Sequence, residues 1–229
     1  MNRIAIAIDG PAASGKSTTA KLVAERLGYL HLDTGAMYRA ITLGVLKKGI
    51  EVTAREQVEA FAESAVLVLE AEGTRGNRIL LNGADVTAEI RSPVVTRNVS
   101  TISSYGAVRK VLVREQQKMA SRGGIVLEGR DIGTVVLPDA ELKVFMVAAV
   151  SERARRRKKD LLTAGIQIDD GEVVKEIEER DRKDSTRHVS PLKMADDAIM
   201  LDTSNLTIQE QVDFIVERAE ALIGAGGSK

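Results

Sequence analysis

The chain reads as an α/β protein: a five-stranded parallel sheet flanked by helices, with a small antiparallel insertion and a charged helical segment late in the chain. Three observations predict it. Five short apolar runs, near residues 3–9, 29–33, 125–127, 142–148 and 198–202, are separated by stretches of helical periodicity. Apolar strands alternating with helices belong to a sheet covered on both faces. Between residues 66 and 90 the texture changes to short β-prone runs joined by tight turns, a spacing open only to antiparallel strands. Finally, a glycine-rich loop links the first strand to the first helix.

The elements follow in order. Arg3 to Asp9 is a buried strand ended by Gly10-Pro11. From Ser17, Ala20, Val23, Ala24 and Leu27 recur at helical spacing until Gly28. Tyr29 to Asp33 is a second strand, followed by a helix from Ala36 to Lys48 that stops at Gly49. Thr53 and Glu56 have capping-box spacing for a helix reaching Ser64. Val66 to Glu70, a turn at Gly73 and Gly76, Arg78 to Leu81, the turn Asn82-Gly83 and Asp85 to Thr87 make the antiparallel insertion. Ser92-Pro93 opens helices over 93–103 and 106–121, which stop at Gly123-Gly124. Strands at 125–127 and 142–148, charged helices at 151–163 and 170–183, and a strand at 198–202 resume the alternation. A Thr207/Glu210 capping box starts a last helix with Ile208, Val212, Ile215, Val216, Ala219 and Leu222 on one face; 224–229 is a frayed tail.

Composition excludes several classes. Lys plus Arg (33) and Asp plus Glu (33) cancel, so no general nucleic-acid coat is expected, and the balanced charge points to a monomer. The absence of cysteine removes disulfides, thiolate metal sites and a Cys nucleophile. The longest apolar run, Val144 to Val150, has seven residues against the roughly 20 of a membrane helix. Only five apolar residues separate Arg3 from Asp9, too few for a signal-peptide core, and a cytoplasmic protein without membrane partners is expected.

Chemistry concentrates in five segments. Gly10-Pro11-Ala12-Ala13-Ser14-Gly15-Lys16-Ser17 fits the phosphate-loop pattern, with Thr18 continuing into the helix. Its backbone N–H groups and the helix N-terminus suit phosphate oxygens, Lys16 suits the β- and γ-phosphates, and the Ser17 hydroxyl suits magnesium. The pattern alone leaves open a kinase, a GTPase switch or an ATP-driven machine. Asp33-Thr34-Gly35-Ala36-Met37-Tyr38-Arg39 follows the second strand, where ligands of open α/β sheets bind; alone, it reads equally well as a capping turn with a solvated arginine. In Glu128-Gly129-Arg130-Asp131, the acid at a strand end suits magnesium and Arg130 a phosphate, with a surface salt bridge as the alternative. Ser151 to Asp160 holds six basic and two acidic residues, a local charge of +4, with Arg153, Arg156 and Arg157 on one helix face. That face suits a transferring phosphoryl group, a solvated helix or a nucleic-acid patch. Arg180, Asp184 and Arg187 share a face of the next helix, where alone they read as ordinary charge alternation. His31 and His188 have no partner histidine or paired acid in their sequence context.

Taken together and in this order, these motifs closely resemble the bacterial cytidylate kinases, a branch of the nucleoside monophosphate (NMP) kinases. The Asp-Thr-Gly-Ala-Met-Tyr-Arg39 and Gly-Arg-Asp-Ile-Gly-Thr134 stretches carry most of that specificity. The resemblance implies γ-phosphoryl transfer from ATP to CMP or dCMP with Mg2+. It implies a P-loop core of 1–35, 124–150 and 190–229, an NMP-binding region of 36–123 containing the insertion, and a lid with its charged helix at 151–189. It assigns the triphosphate to residues 10–18 with Arg156 and Arg157, and the acceptor phosphate to Thr34, Arg39, Arg130 and Arg187. Ser100, Arg109 and Asp131 would read the cytosine, and Arg180 and Asp184 the sugar. Lys16, Arg130, Arg153, Arg157 and Arg187 would stabilise the transferring group, and Ser17 and Glu128 would hold the metal. Many relatives carry Asp where Glu128 stands. A UMP-directed kinase and a nucleotide-dependent or RNA-binding regulator are the alternatives, although the Asn-Lys-x-Asp motif of a GTPase switch is absent.

Overall fold

A computed structural model describes residues 3–71, 77–163 and 165–225. The expected turn at Gly73 and Gly76 and the tail at 226–229 lie outside the described residues. Strands β1 (Ala5–Asp9), β2 (Leu30–Asp33), β6 (Ile125–Gly129), β7 (Leu142–Val147) and β8 (Ile199–Asp202) form one sheet in the order β2-β6-β1-β7-β8. All its pairings are parallel. Strands β3 (Leu67–Ala71), β4 (Asn77–Leu81) and β5 (Ala84–Asp85) form a separate antiparallel sheet. The hairpin turn takes φ of 50° at Asn82 and 81° at Gly83, the paired positive values that an Asn-Gly loop favours. β5 stops earlier than the sequence pattern suggests. Past Val86 the Thr87 hydroxyl, held by Asp85, accepts the Ile79 N–H in place of a strand carbonyl.

Two helix starts differ from expectation. Helix α2 (Thr34–Lys47) begins two residues early, because the Asp33 carboxylate accepts the Ala36 N–H at 3.1 Å and so caps the helix from the strand end itself. The Thr53 capping box does not form. The backbone closes a turn through Ala54 N–H to the Glu51 carbonyl, which shifts the start of α3 (Arg55–Ser64) and leaves Ala54 as a cap without a side-chain bond. By contrast, the Thr207/Glu210 box is made in both directions ahead of α8 (Ile208–Ala225). Leu222, expected on the apolar face of α8, is 38% exposed.

Strand alternation distributes the core. Ile4, Ile6 and Ile8 join Val126, Val144 and Met146 under α1 (Lys16–Leu27) and α8, while Ala7 joins Ile125 and Leu127 on the opposite face. That second face is covered by α2, α4 (Pro93–Ile102) and α5 (Gly106–Ala120), and its core extends to Ile79 and Leu81 of the small sheet. Packing there is close. A Cβ at Gly44 of α2 would fall 2.4 Å from the Phe61 ring. Helices α6 (Val150–Thr163) and α7 (Asp170–Thr186) share their own smaller core of Ala154, Leu161, Val173 and Ile177. Among the described residues no helix is long and apolar enough to cross a membrane.

Candidate active site

The parallel register brings chemistry to one edge of the sheet. Asp33 at the end of β2 lies beside Glu128 in β6, and Asp9 at the end of β1 lies beside Gly129. A cleft of about 810 Å³ opens above these strand ends. Along one side runs the loop after β1. Gly10 is pressed so closely on β7 that a Cβ would sit 2.0 Å from the Met146 carbonyl oxygen, and Ala13 and Gly15 take positive φ of 59° and 95°. Helix α1 then opens without a side-chain cap, so its first-turn N–H groups remain for an anion. Lys16 is buried and folds back on the loop, donating to the Pro11 carbonyl at 2.6 Å and the Ser14 hydroxyl at 3.2 Å. Burial, then the neighbouring Arg130 charge, hold the Lys16 ammonium well below its ordinary range. A bound anion would oppose both influences.

Beside the lysine stands a three-membered chain. The Ser17 hydroxyl donates to Glu128 Oε2 at 2.6 Å, and His31 Nε2 meets Glu128 Oε1 at 3.0 Å. Burial pushes the Glu128 carboxyl up, but His31, the Ser17 hydrogen bond and Lys16 outweigh it and hold the group below the usual range. Glu128 is therefore an oriented anion beside the loop.

The opposite wall is built from paired charges. Asp131 binds Arg109 directly and faces Arg187 at 3.6 Å, and all three are nearly inaccessible. Asp184 takes Arg130 Nε at 2.8 Å and has Arg180 at 4.0 Å. Arg39 donates to the Thr96 hydroxyl at 2.8 Å, Thr34 donates to the Glu128 carbonyl at 2.7 Å, and Ser100 lines the cleft nearby. Burial pulls the Arg39 guanidinium down to about 10 despite Asp33; burial and the charges of Arg130 and Arg39 pull Arg180 down to about 9. Buried N–H atoms on Arg109 (Nε), Arg180 (Nε) and Arg187 (Nη2) have no hydrogen-bond partner in the protein. Buried donors left open beside a cleft are positions where an anionic or polar ligand completes the structure.

Helix α6 closes the side of the phosphate loop. Arg156 reaches the Thr203 hydroxyl and carbonyl at 3.0 and 2.6 Å, and Arg157 lines the cleft near enough for its charge to bear on Arg39 and Arg180. Arg153 does not line the cleft. It sits behind the loop, tied to Asp181 at 2.7 Å, the Ala12 carbonyl at 3.3 Å and the Ala148 carbonyl at 3.1 Å. Gly10 and Pro11 likewise stay off the wall, while residues 12–18 reach it. Two neighbours escape a motif reading. His31 stands two residues before Asp33, and strand periodicity puts it on the same face, a signal present in the sequence. Gln211, which accepts from Thr19 at 2.8 Å, is brought in by tertiary packing. Tyr38 belongs to the motif after β2, but its place 5.4 Å from the Arg109 guanidinium is set by tertiary packing.

A parallel sheet with a lysine-bearing phosphate loop facing an arginine wall defines a P-loop small-molecule phosphotransferase. A family model described as cytidylate kinase matches residues 6–221. The chain is 47% identical over 218 residues to the cytidylate kinase of Bacillus pumilus (strain SAFR-032), covering 95% of this chain and 96% of that one. It is 51% identical over 223 residues to the cytidylate kinase of Lactococcus lactis subsp. cremoris (strain MG1363), covering 97% of this chain and 100% of that one. Among solved structures, an uncharacterized protein from Eubacterium ventriosum is similar in fold alone, with a TM-score of 0.54 at 13% identity, over 96% of this chain and 99% of that one. The chain belongs to the cytidylate kinase family.

Proposed function

We propose that the chain transfers the γ-phosphoryl group of ATP to CMP, and to dCMP, releasing ADP and the corresponding diphosphate. The observation that carries this reading is the single cleft, in which one wall offers backbone amides and Lys16 and the other offers buried, partly unpaired arginines around Asp131. An oxygen of the acceptor phosphate attacks the γ-phosphorus. The bond from that phosphorus to the β-bridging oxygen breaks, and its electron pair leaves with ADP. The attacking oxygen is already anionic, so alignment and charge neutralisation replace a strong general base.

Residues 12–18 with Arg156 and Arg157 take the donor triphosphate, and Lys16 swings from Pro11 to its oxygens. Thr34, Arg39, Arg130 and Arg187 hold the acceptor phosphate, with Arg180 and Asp184 at its sugar. Asp131 and Arg109 supply an acceptor and a donor for cytosine N4–H and N3, the pair that uracil reverses. Although Asp131 already serves arginines, a carboxylate has about four lone-pair positions, which leaves capacity for the base. Arg153 acts from behind, pinning α7 to the loop through Asp181 and Ala12; α6 with α7 forms the lid over the triphosphate, and 36–123 builds the acceptor region.

The donor set fits magnesium. Ser17 Oγ and Glu128 Oε2 are hard oxygens 2.6 Å apart on the cleft wall, and no cluster of three or more acidic, His or Cys ligands occurs among the described residues. One or two protein oxygens completed by nucleotide phosphates is the usual magnesium arrangement. When bound, the ion would neutralise charge on the β- and γ-phosphates. A coupled assay of ADP release over CMP, dCMP, UMP, AMP and GMP tests the reading: CMP and dCMP should lead, and rapid UMP turnover without CMP turnover would reject it.

A further inference from the structure

Asp9 has no role in the scheme above, yet its carboxylate is buried at the end of β1, next to the phosphate loop. Oδ1 accepts the Ile132 N–H and Oδ2 the Gly133 N–H, each at 2.8 Å and across more than 120 residues of chain. Those amides open the single helical turn Ile132–Val136, where the first N–H groups have no partner within the turn. The residue at the capping position is Asp131, a type that ordinarily turns its side chain back onto such amides. Here it does not; its carboxylate faces Arg109 and Arg187 instead.

We infer that Asp9 caps the 132–136 turn in place of Asp131, and so releases and orients Asp131 for the acceptor base. Asp9 is thus a positioning residue for acceptor specificity, reached from the donor strand. The inference rests on the reading of Asp131 as the base-facing acid. The charged groups around Asp9 are Asp131, Lys16 and, packed against Gly133, the Lys143 stem. With Asp9 withdrawn, Asp131, which already stands at the capping position, is the acid placed to take the Gly133 N–H, and doing so would turn it away from Arg109.

Two measurements on Asp9→Asn test this, amide hydrogen exchange and steady-state kinetics with CMP, UMP and ATP. The amides of 132 and 133 should exchange at least about tenfold faster while those of α1 keep their protection, since one of two charged acceptors becomes a donor. KM for CMP should rise about tenfold and the CMP-over-UMP preference should fall, with KM for ATP moving less than about twofold. Should Asp9→Asn fail to fold, Asp9→Ser, which keeps only a shorter neutral hydroxyl, must show the same split, faster exchange at 132 and 133 with a raised KM for CMP and little change in KM for ATP. Unchanged protection at 132 and 133 would overturn the cap. Faster exchange with an unaltered KM for CMP, or equal losses for ATP and CMP, would overturn the positioning role. Exchange needs no nucleotide, so failure of the cap is distinguishable from failure of the acceptor reading, which a wild type inert toward CMP would reveal.

Discussion

The phosphate loop and the arginine wall face one another across one cleft, yet they hold positive charge by different means. The loop is contiguous. Its charge comes from backbone amides and one lysine tethered to Pro11 and Ser14, all within eight residues. The wall is assembled from α2, α5, α7 and the segments following β6 and α7; Asp131 and Asp184 set Arg109, Arg130, Arg180 and Arg187, and Thr96 holds Arg39. A contiguous site survives most distant substitutions, whereas a wall of mutually pinned charges couples each residue to several others. The two sides should therefore break differently.

The largest effect is expected at the loop. Lys16→Ala should lower kcat by roughly a thousandfold or more, because the lost charge acts where negative charge is relayed between phosphates. The melting temperature should change little or rise, since a buried ammonium leaves. Asp131→Ala should reduce kcat/KM for CMP about a hundredfold, leave KM for ATP nearly unchanged, and cost about 3 kcal/mol of stability by stranding Arg109 and Arg187. Kinetics and a thermal melt on the two variants read the contrast directly. Equal stability losses would contradict it.

A pH experiment sharpens the same comparison. Burial pushes the Asp9 carboxyl up to about 6, against the lowering influence of the Gly133 and Ile132 amides. Unfolded, it should titrate near its ordinary value of about 3.9. Between those values the folded state binds more protons than the unfolded, so this group's contribution falls as pH rises through that window. Wild type should lose about 2 kcal/mol relative to Asp9→Asn between pH 4 and pH 6, with the divergence levelling off by about pH 7. Melts of both proteins across pH 4 to 7 check it; parallel curves would refute it. The smallest effect is expected at His31. His31→Ala should raise the magnesium concentration needed for half-maximal activity about tenfold, and weaken Mn2+ binding to the nucleotide complex similarly, by freeing one Glu128 oxygen.

Legibility in the sequence follows the same division. The phosphate loop, the strand–helix alternation and the Asn82-Gly83 hairpin are local patterns, and the structure places them where the sequence does. Arg180, Asp184 and Arg187 read alone as solvent-facing charge alternation, and only the family resemblance drew them to the cleft. Their partners Arg130 and Asp131 lie about fifty residues away in sequence. Arg153 shares a helix face with Arg156 and Arg157 in the sequence, but α7 packs close enough to claim its guanidinium through Asp181. Thr53 shows the same limit on a small scale, since a backbone turn displaced a cap that spacing alone favoured. For His31 the sequence shows only that it shares a strand face with Asp33; its partner Glu128 becomes visible once parallel register sets β6 beside β2.

The central claim is that the cleft seats two nucleotides on separate walls. Titration calorimetry of ATP and of CMP into wild type, Lys16→Ala and Asp131→Ala tests it most directly. The account predicts a crossed pattern: Lys16→Ala weakens ATP and spares CMP, while Asp131→Ala weakens CMP and spares ATP. Parallel weakening of both nucleotides in each variant would contradict it.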